Sequence, residues 1–154
     1  MAKMRNICDG KKSQRGNVIV EFALGWSLIW LLFSGLYHYG YSFYVYNMLQ
    51  TSVANAAQLA SQLNYDTSAT ETFTSQIQSM TLYGDPSATS GTPLVPGLSG
   101  SNIAVTITLS NSVPTDVTVD IVNFSFSTIF NTVTLNGKPR VTVAYRGQVT
   151  CSTC

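Results

Sequence analysis

The run from Val18 to Leu36 is apolar except for Glu21, Ser27 and Ser34. At 1.5 Å per residue it is about 28 Å long as a helix, close to the roughly 30 Å hydrocarbon core of a bilayer. A segment in lipid must pair its own backbone groups, so this run predicts a membrane helix. One carboxylate, Glu21, stands near the start of the run. An acid inside an apolar segment is costly and marks function by default. Upstream, Lys3, Arg5, Lys11, Lys12 and Arg15 face a single acid, Asp9, for a net +4; downstream, three cations face six acids, for a net −3. Positive charge flanking a span favours the cytoplasmic side, so the expected topology is N-terminus in and C-terminus out. Five cations beside an apolar run fit topology better than nucleic-acid binding, and no nucleic-acid partner is expected.

Residues 1–16 are polar and basic, with no apolar periodicity. They read as a cytoplasmic leader, but not as an ordinary secretory signal, where the apolar core precedes the cleavage site. Here Gly16 precedes the core, so cleavage after it would keep the membrane segment.

Beyond Leu36 the chain turns aromatic, with Tyr37, Tyr39, Tyr41, Phe43, Tyr44 and Tyr46. Rings with a wet hydroxyl suit the membrane–water interface. A tyrosine-rich packing face is the other reading, and the two are compatible. Proline is absent before Pro86, so nothing forces the helix to stop at the membrane. Leu49, Val53, Ala56, Ala60 and Leu63 recur every three or four residues, one apolar stripe on a polar helix. The predicted helix therefore spans residues 17–63, with a transmembrane segment at about 18–36 and an amphipathic second half.

Asn64-Tyr65-Asp66-Thr67 breaks that pattern. Ser68-Ala69-Thr70-Glu71 reads as a capping box opening a second, shorter helix. Ala69, Phe73, Ile77 and Met80 form its apolar face, and Gly84 fits its end. Residues 84–101 are rich in Gly, Pro, Ser and Thr and read as a loop. From Asn102 the period changes to two: Ile103, Val105, Ile107 and Leu109, then Val117, Val119 and Ile121, and less regularly Phe124, Phe126, Val133 and Leu135. Asn136-Gly137 predicts a two-residue hairpin turn, with Val141, Val143 and Tyr145 on the return strand. The expected fold class is α+β: a long N-terminal helix, a short second helix and a small antiparallel sheet of three to five strands. Residues 64–154 would form the extracytoplasmic domain, with the helices covering one face of the sheet.

Titratable groups do not converge in the sequence. His38, the sole histidine, falls in the tyrosine cluster and reads as an interfacial aromatic. Asp66, Glu71, Asp85, Asp116 and Asp120 are scattered among caps, turns and strand ends, without paired-carboxylate or metal spacing. No catalytic residue, metal site or cofactor is expected. Cys151 and Cys154 form a lone C-x-x-C, short of the four ligands a zinc site needs. A local disulfide in an oxidising compartment and a frayed tail of free thiols both remain open. Cys8 falls in the leader, on the other side of the membrane.

The stretch Arg15-Gly16-Asn17-Val18-Ile19-Val20-Glu21-Phe22 resembles the type IV prepilin signal: a basic leader, a glycine before the cut, and an acid as the fifth residue of the mature chain. With the Tyr37–Tyr46 cluster and the Tyr83-Gly84-Asp85-Pro86 loop, it resembles the TadE-like pseudopilins of the tight-adherence (Tad/Flp) pilus system. The sequence departs from many family members near Ala56-Ala57-Gln58, which lacks their arginine. The resemblance implies a pilin-like fold and cleavage between Gly16 and Asn17 by an inner-membrane prepilin peptidase. It also implies partnership, through the N-terminal helix, with other pilins and pseudopilins and with the pilus assembly machinery. Glu21 would be the intersubunit register contact, pairing with a neighbour's new amine at Asn17, since a charge pair in lipid costs far less than a lone carboxylate. The alternative for Glu21 is snorkelling to the headgroups. The alternative for the whole chain is a membrane-anchored extracytoplasmic binding or assembly module with an uncleaved signal anchor.

Overall fold

A computed structural model describes residues 15–111, 113–147 and 149–150. The leader up to residue 14, with Cys8, and the C-terminal Cys151 and Cys154 lie outside the described residues. In chain order the elements are α1 (Arg15–Ala60), β1 (Tyr65–Asp66), α2 (Thr70–Tyr83), β2 (Ile103–Ser110), β3 (Val113–Ile121), β4 (Phe124–Ser127), β5 (Thr132–Leu135), β6 (Arg140–Ala144) and β7 (Val149–Thr150), with a 3-10 turn at Gly100–Asn102 before β2. The class is α+β, as expected. The chain divides into two compact units, one up to Tyr37 and one from His38 onward.

In the first unit α1 is a bare apolar helix. Its large side chains from Val18 to Leu36 are all exposed, from 57% at Val20 to 74% at Leu36. Phe22 and Trp26, one turn apart, stack with ring centroids 6.4 Å apart. The Ser27 hydroxyl donates to the Ala23 carbonyl at 2.7 Å. That back-bond satisfies the hydroxyl within the helix, without water. Among the described residues α1 is the one helix long and apolar enough to cross a membrane.

In the second unit the same helix is amphipathic. Val45, Leu49, Val53, Ala56, Ala57 and Ala60 are buried, so four of the five predicted stripe residues enter the core and Leu63 packs at its edge. Three of these buried residues are alanines, Ala56, Ala57 and Ala60. Regular helix ends at Ala60, but the turn continues, with Leu63 N–H donating to the Leu59 carbonyl at 3.1 Å.

Helix α2 buries Phe73, Ile77, Thr81 and Leu82. Its N-cap is Ala69, and no side chain caps it; the predicted capping box does not form. The Ser68 hydroxyl is taken instead by Asp66 Oδ1 at 2.6 Å, which also accepts the Ser68 N–H at 2.8 Å. An ionised carboxylate outcompetes a backbone partner for that hydroxyl. At the other end Gly84 closes the helix with φ 76°, and its N–H bonds the Met80 carbonyl at 3.0 Å. A positive φ of this kind is where glycine is favoured. The following loop is not passive: Val95 and Leu98 are buried, and Leu94 N–H donates to the Leu82 carbonyl at 2.7 Å.

The strands form three small sheets, not one. The main sheet is antiparallel, in the order β2-β3-β6. Val117, Val119 and Ile121 on central β3 are fully buried, while β2 grows exposed toward Leu109. β4 and β5 form an antiparallel hairpin, and β1 pairs in parallel with β7. Asn136-Gly137 does not close a hairpin. β5 pairs back onto β4, and β6 pairs with β3. The physical reason is local. Gly137 N–H donates to the Ile121 carbonyl at 2.7 Å, and Ile121 N–H to the Pro139 carbonyl at 3.2 Å. The connection is thus stitched to the end of β3, and Pro139 offers no N–H to a returning ladder.

Candidate functional site

Gly16 and Asn17 lie in the first turns of α1, and Glu21 follows about one turn after Asn17. Residues four apart lie on one helix face, so positions 17 and 21 fall on one side of α1, about 6 Å apart along the axis. Glu21 is exposed amid the apolar side chains of the first unit. Cys151 and Cys154, the candidate disulfide, are beyond the described residues.

The aromatic cluster divides. Tyr37, Tyr39, Phe43 and Tyr44 point outward and are exposed by more than half. Tyr41 turns in, its ring edge-on to Phe126 at 6.2 Å. Tyr46 lines an apolar cleft of about 300 Å³ with Tyr39, Ser42, Phe43, Phe126, Val133 and Leu135. One helix segment therefore carries both exposed rings and rings packed within the second unit, and Tyr39 and Phe43 are exposed while also lining the cleft.

His38 contacts aromatic rings on two sides: Tyr39 at 5.3 Å and Phe130 at 5.7 Å between centroids. Its Nδ1 is buried without a hydrogen-bond partner. The acids do not gather around it. Among the described residues no three His, Cys, Asp or Glu side chains come together as a metal site would require. Asp120 is buried, 4% exposed, and pairs with Arg140 directly across the β3–β6 ladder. Arg140 Nη2 and Nε donate to Asp120 Oδ2 at 2.6 and 3.2 Å. The Ser68 hydroxyl and backbone N–H hold the Asp66 carboxyl below its ordinary range. Both acids thus have structural partners.

The end of α1 is fastened by Tyr145. Its hydroxyl donates to the Leu63 carbonyl at 2.7 Å and accepts the Tyr65 N–H at 2.8 Å. Arg146 N–H donates to the Ser61 carbonyl at 2.8 Å. Burial raises the Tyr145 hydroxyl above its ordinary value of 10.0, against the lowering effect of the Tyr65 bond. A second, more polar groove of about 460 Å³ runs beside this fastening, lined by Ala54, Gln58, Gln62, Val141, Val143 and Arg146 among others.

Of the residues singled out in the sequence, Gly16, Asn17 and Glu21 fall together in the first two turns of α1. What the sequence reading missed is the β4–β5 hairpin beside His38, and the cleft it forms with α1. One signal was available: residues 121–137 carry no charge at all. No family model, curated protein or solved structure matches this chain.

Proposed function

We propose that this chain is a minor pilin or pseudopilin, TadE-like, of a tight-adherence (Tad/Flp) type IV pilus. It sits in the inner (cytoplasmic) membrane by α1, with its second unit outside the cytoplasm. Its role is assembly and not catalysis. The observation that supports this best is the partition of α1. One half exposes every large apolar side chain with a single acid near its start, and the other half is buried in a folded domain. A soluble domain would not leave such a surface uncovered, because exposed apolar patches of this extent mark membrane or partner contacts. The Gly16–Asn17 junction directly ahead of that surface fits a peptidase cut that releases a mature, membrane-held subunit. Glu21 then contributes to register, through a neighbour's N-terminal amine.

Intact mass of the protein extracted from membranes of a host with the prepilin peptidase tests this reading. The expected species begins at Asn17. A species beginning at Met1 in that host would sink the pilin reading and favour a membrane-anchored module with an uncleaved signal anchor.

A further inference from the structure

The β4–β5 hairpin ends in the turn Thr128-Ile129-Phe130-Asn131. Ile129 and Phe130 are 59% and 62% exposed, side by side at its tip. An adjacent pair of large apolar residues at a loop tip is costly in water and unusual for a turn. The turn is closed on itself. Thr128 N–H donates to the Asn131 carbonyl at 2.8 Å, and Thr132 N–H donates to the Asn131 Oδ1 at 2.8 Å. The Thr128 hydroxyl is also bonded to the Asn131 carbonyl. The polar groups of Thr128 and Asn131 at the base of the tip are thus bonded to each other.

Its position gives the tip a partner. Phe130 lies against His38, the residue that follows the apolar run and Tyr37 in α1. The outward rings Tyr39, Phe43 and Tyr44 stand on the same stretch of helix. No charged residue occurs between Glu21 and Asp66, or between Asp120 and Lys138. Both strands of the hairpin and the helix beside it are therefore free of charges that would resist entry into the interface. The apolar cleft between them continues the same surface.

We propose that the Ile129–Phe130 tip is a second membrane contact, seated in the interfacial layer of the bilayer beside the aromatic belt of α1. This rests on the reading that α1 spans the membrane. A single helix leaves a domain free to tilt and rotate about it; a second apolar contact at the same depth restricts both. The occupant is lipid, at the boundary between headgroups and acyl chains. Apolar side chains flanked by uncharged polar residues suit that layer, where tyrosine and other amphipathic rings collect.

The test is depth measurement by nitroxide labels on the full chain in vesicles of phosphatidylethanolamine and phosphatidylglycerol. Cys8, Cys151 and Cys154 are replaced by serine, and single labels are placed through Phe130→Cys, Ile129→Cys, Leu31→Cys and Asn111→Cys. Asn111 lies at the exposed β2–β3 turn. The proposal expects labels at 129 and 130 to collide more with oxygen than with a polar nickel chelate, as at 31, with the ratio reversed at 111. A water-like ratio at 129 and 130, with a lipid-like one at 31, overturns the tip contact and leaves the membrane reading standing. Labels at 129 and 130 shielded from both reagents mean a protein covers the tip, and also overturn it. A water-like ratio at 31 overturns the membrane reading and this proposal together.

Discussion

The hydroxyl of Tyr145 donates a 2.7 Å hydrogen bond to the carbonyl of Leu63, 82 positions earlier in the chain. The same oxygen accepts the Tyr65 N–H. One phenol thus satisfies an orphan carbonyl at the end of α1 and the first donor of β1, at a place where helix hydrogen bonding has run out.

Tyr145→Phe removes both bonds while keeping the ring. Two backbone groups are left without a partner, at a cost of about 1–3 kcal/mol, read as a lower unfolding midpoint of the detergent-solubilised protein. A pH signature accompanies it. Because the Tyr145 pKa is raised above 10.0 in the folded state, its contribution is complete below pH 10.0 and is lost as pH rises through the folded value. The difference in stability between wild type and Tyr145→Phe should therefore shrink in alkali. A difference independent of pH to well above 10 would contradict this role.

Gly147 packs against the same fastening. A Cβ at that position would overlap the Leu63 carbonyl oxygen and the Tyr145 hydroxyl. Both atoms are held in hydrogen bonds and cannot yield cheaply. Gly147→Ala should destabilise by about 1–3 kcal/mol, the usual cost of overpacking, whereas Gly97→Ala serves as a control with open space around it but a positive φ. Thermal melts of both variants decide between steric overlap and a general effect of losing glycine.

The Asp120–Arg140 pair is lopsided: the carboxylate is buried and the guanidinium largely exposed. Arg140→Ala leaves a buried charge without its partner, and should cost about 1–3 kcal/mol. The double variant Asp120→Ala/Arg140→Ala should recover part of that loss, because the stranded charge is gone. A double variant as unstable as the sum of the singles would show that the two side chains do not act as a pair.

Glu21→Ala should leave membrane insertion and cleavage after Gly16 intact but reduce co-purification of partner pilins. It removes a carboxylate without disturbing the helix, since alanine is the best helix former. Unchanged co-purification would sink the register role and leave snorkelling as the explanation for the acid.

The amino-acid pattern alone determined the α+β class, the long helix with its two characters, and the stripe Leu49, Val53, Ala56 and Ala60. These follow from periodicity, which depends only on a residue's near neighbours along the chain. It also placed Gly84 at the end of α2, because few other residues suit a positive φ. Tertiary structure decided the rest. Asn136-Gly137 has strong local turn chemistry, yet the Ile121 backbone claims the connection and sends β6 to β3. Ser68 has the spacing of a cap, yet Asp66 takes its hydroxyl. The two-residue strands β1 and β7 are too short to carry any period, and Tyr145 finds Leu63 only across 82 positions. The run from Val18 to Leu36 was legible because an unbroken apolar helix is read residue by residue, without reference to distant partners. The Ile129–Phe130 tip was not, because its meaning depends on lying beside His38, which only the fold arranges.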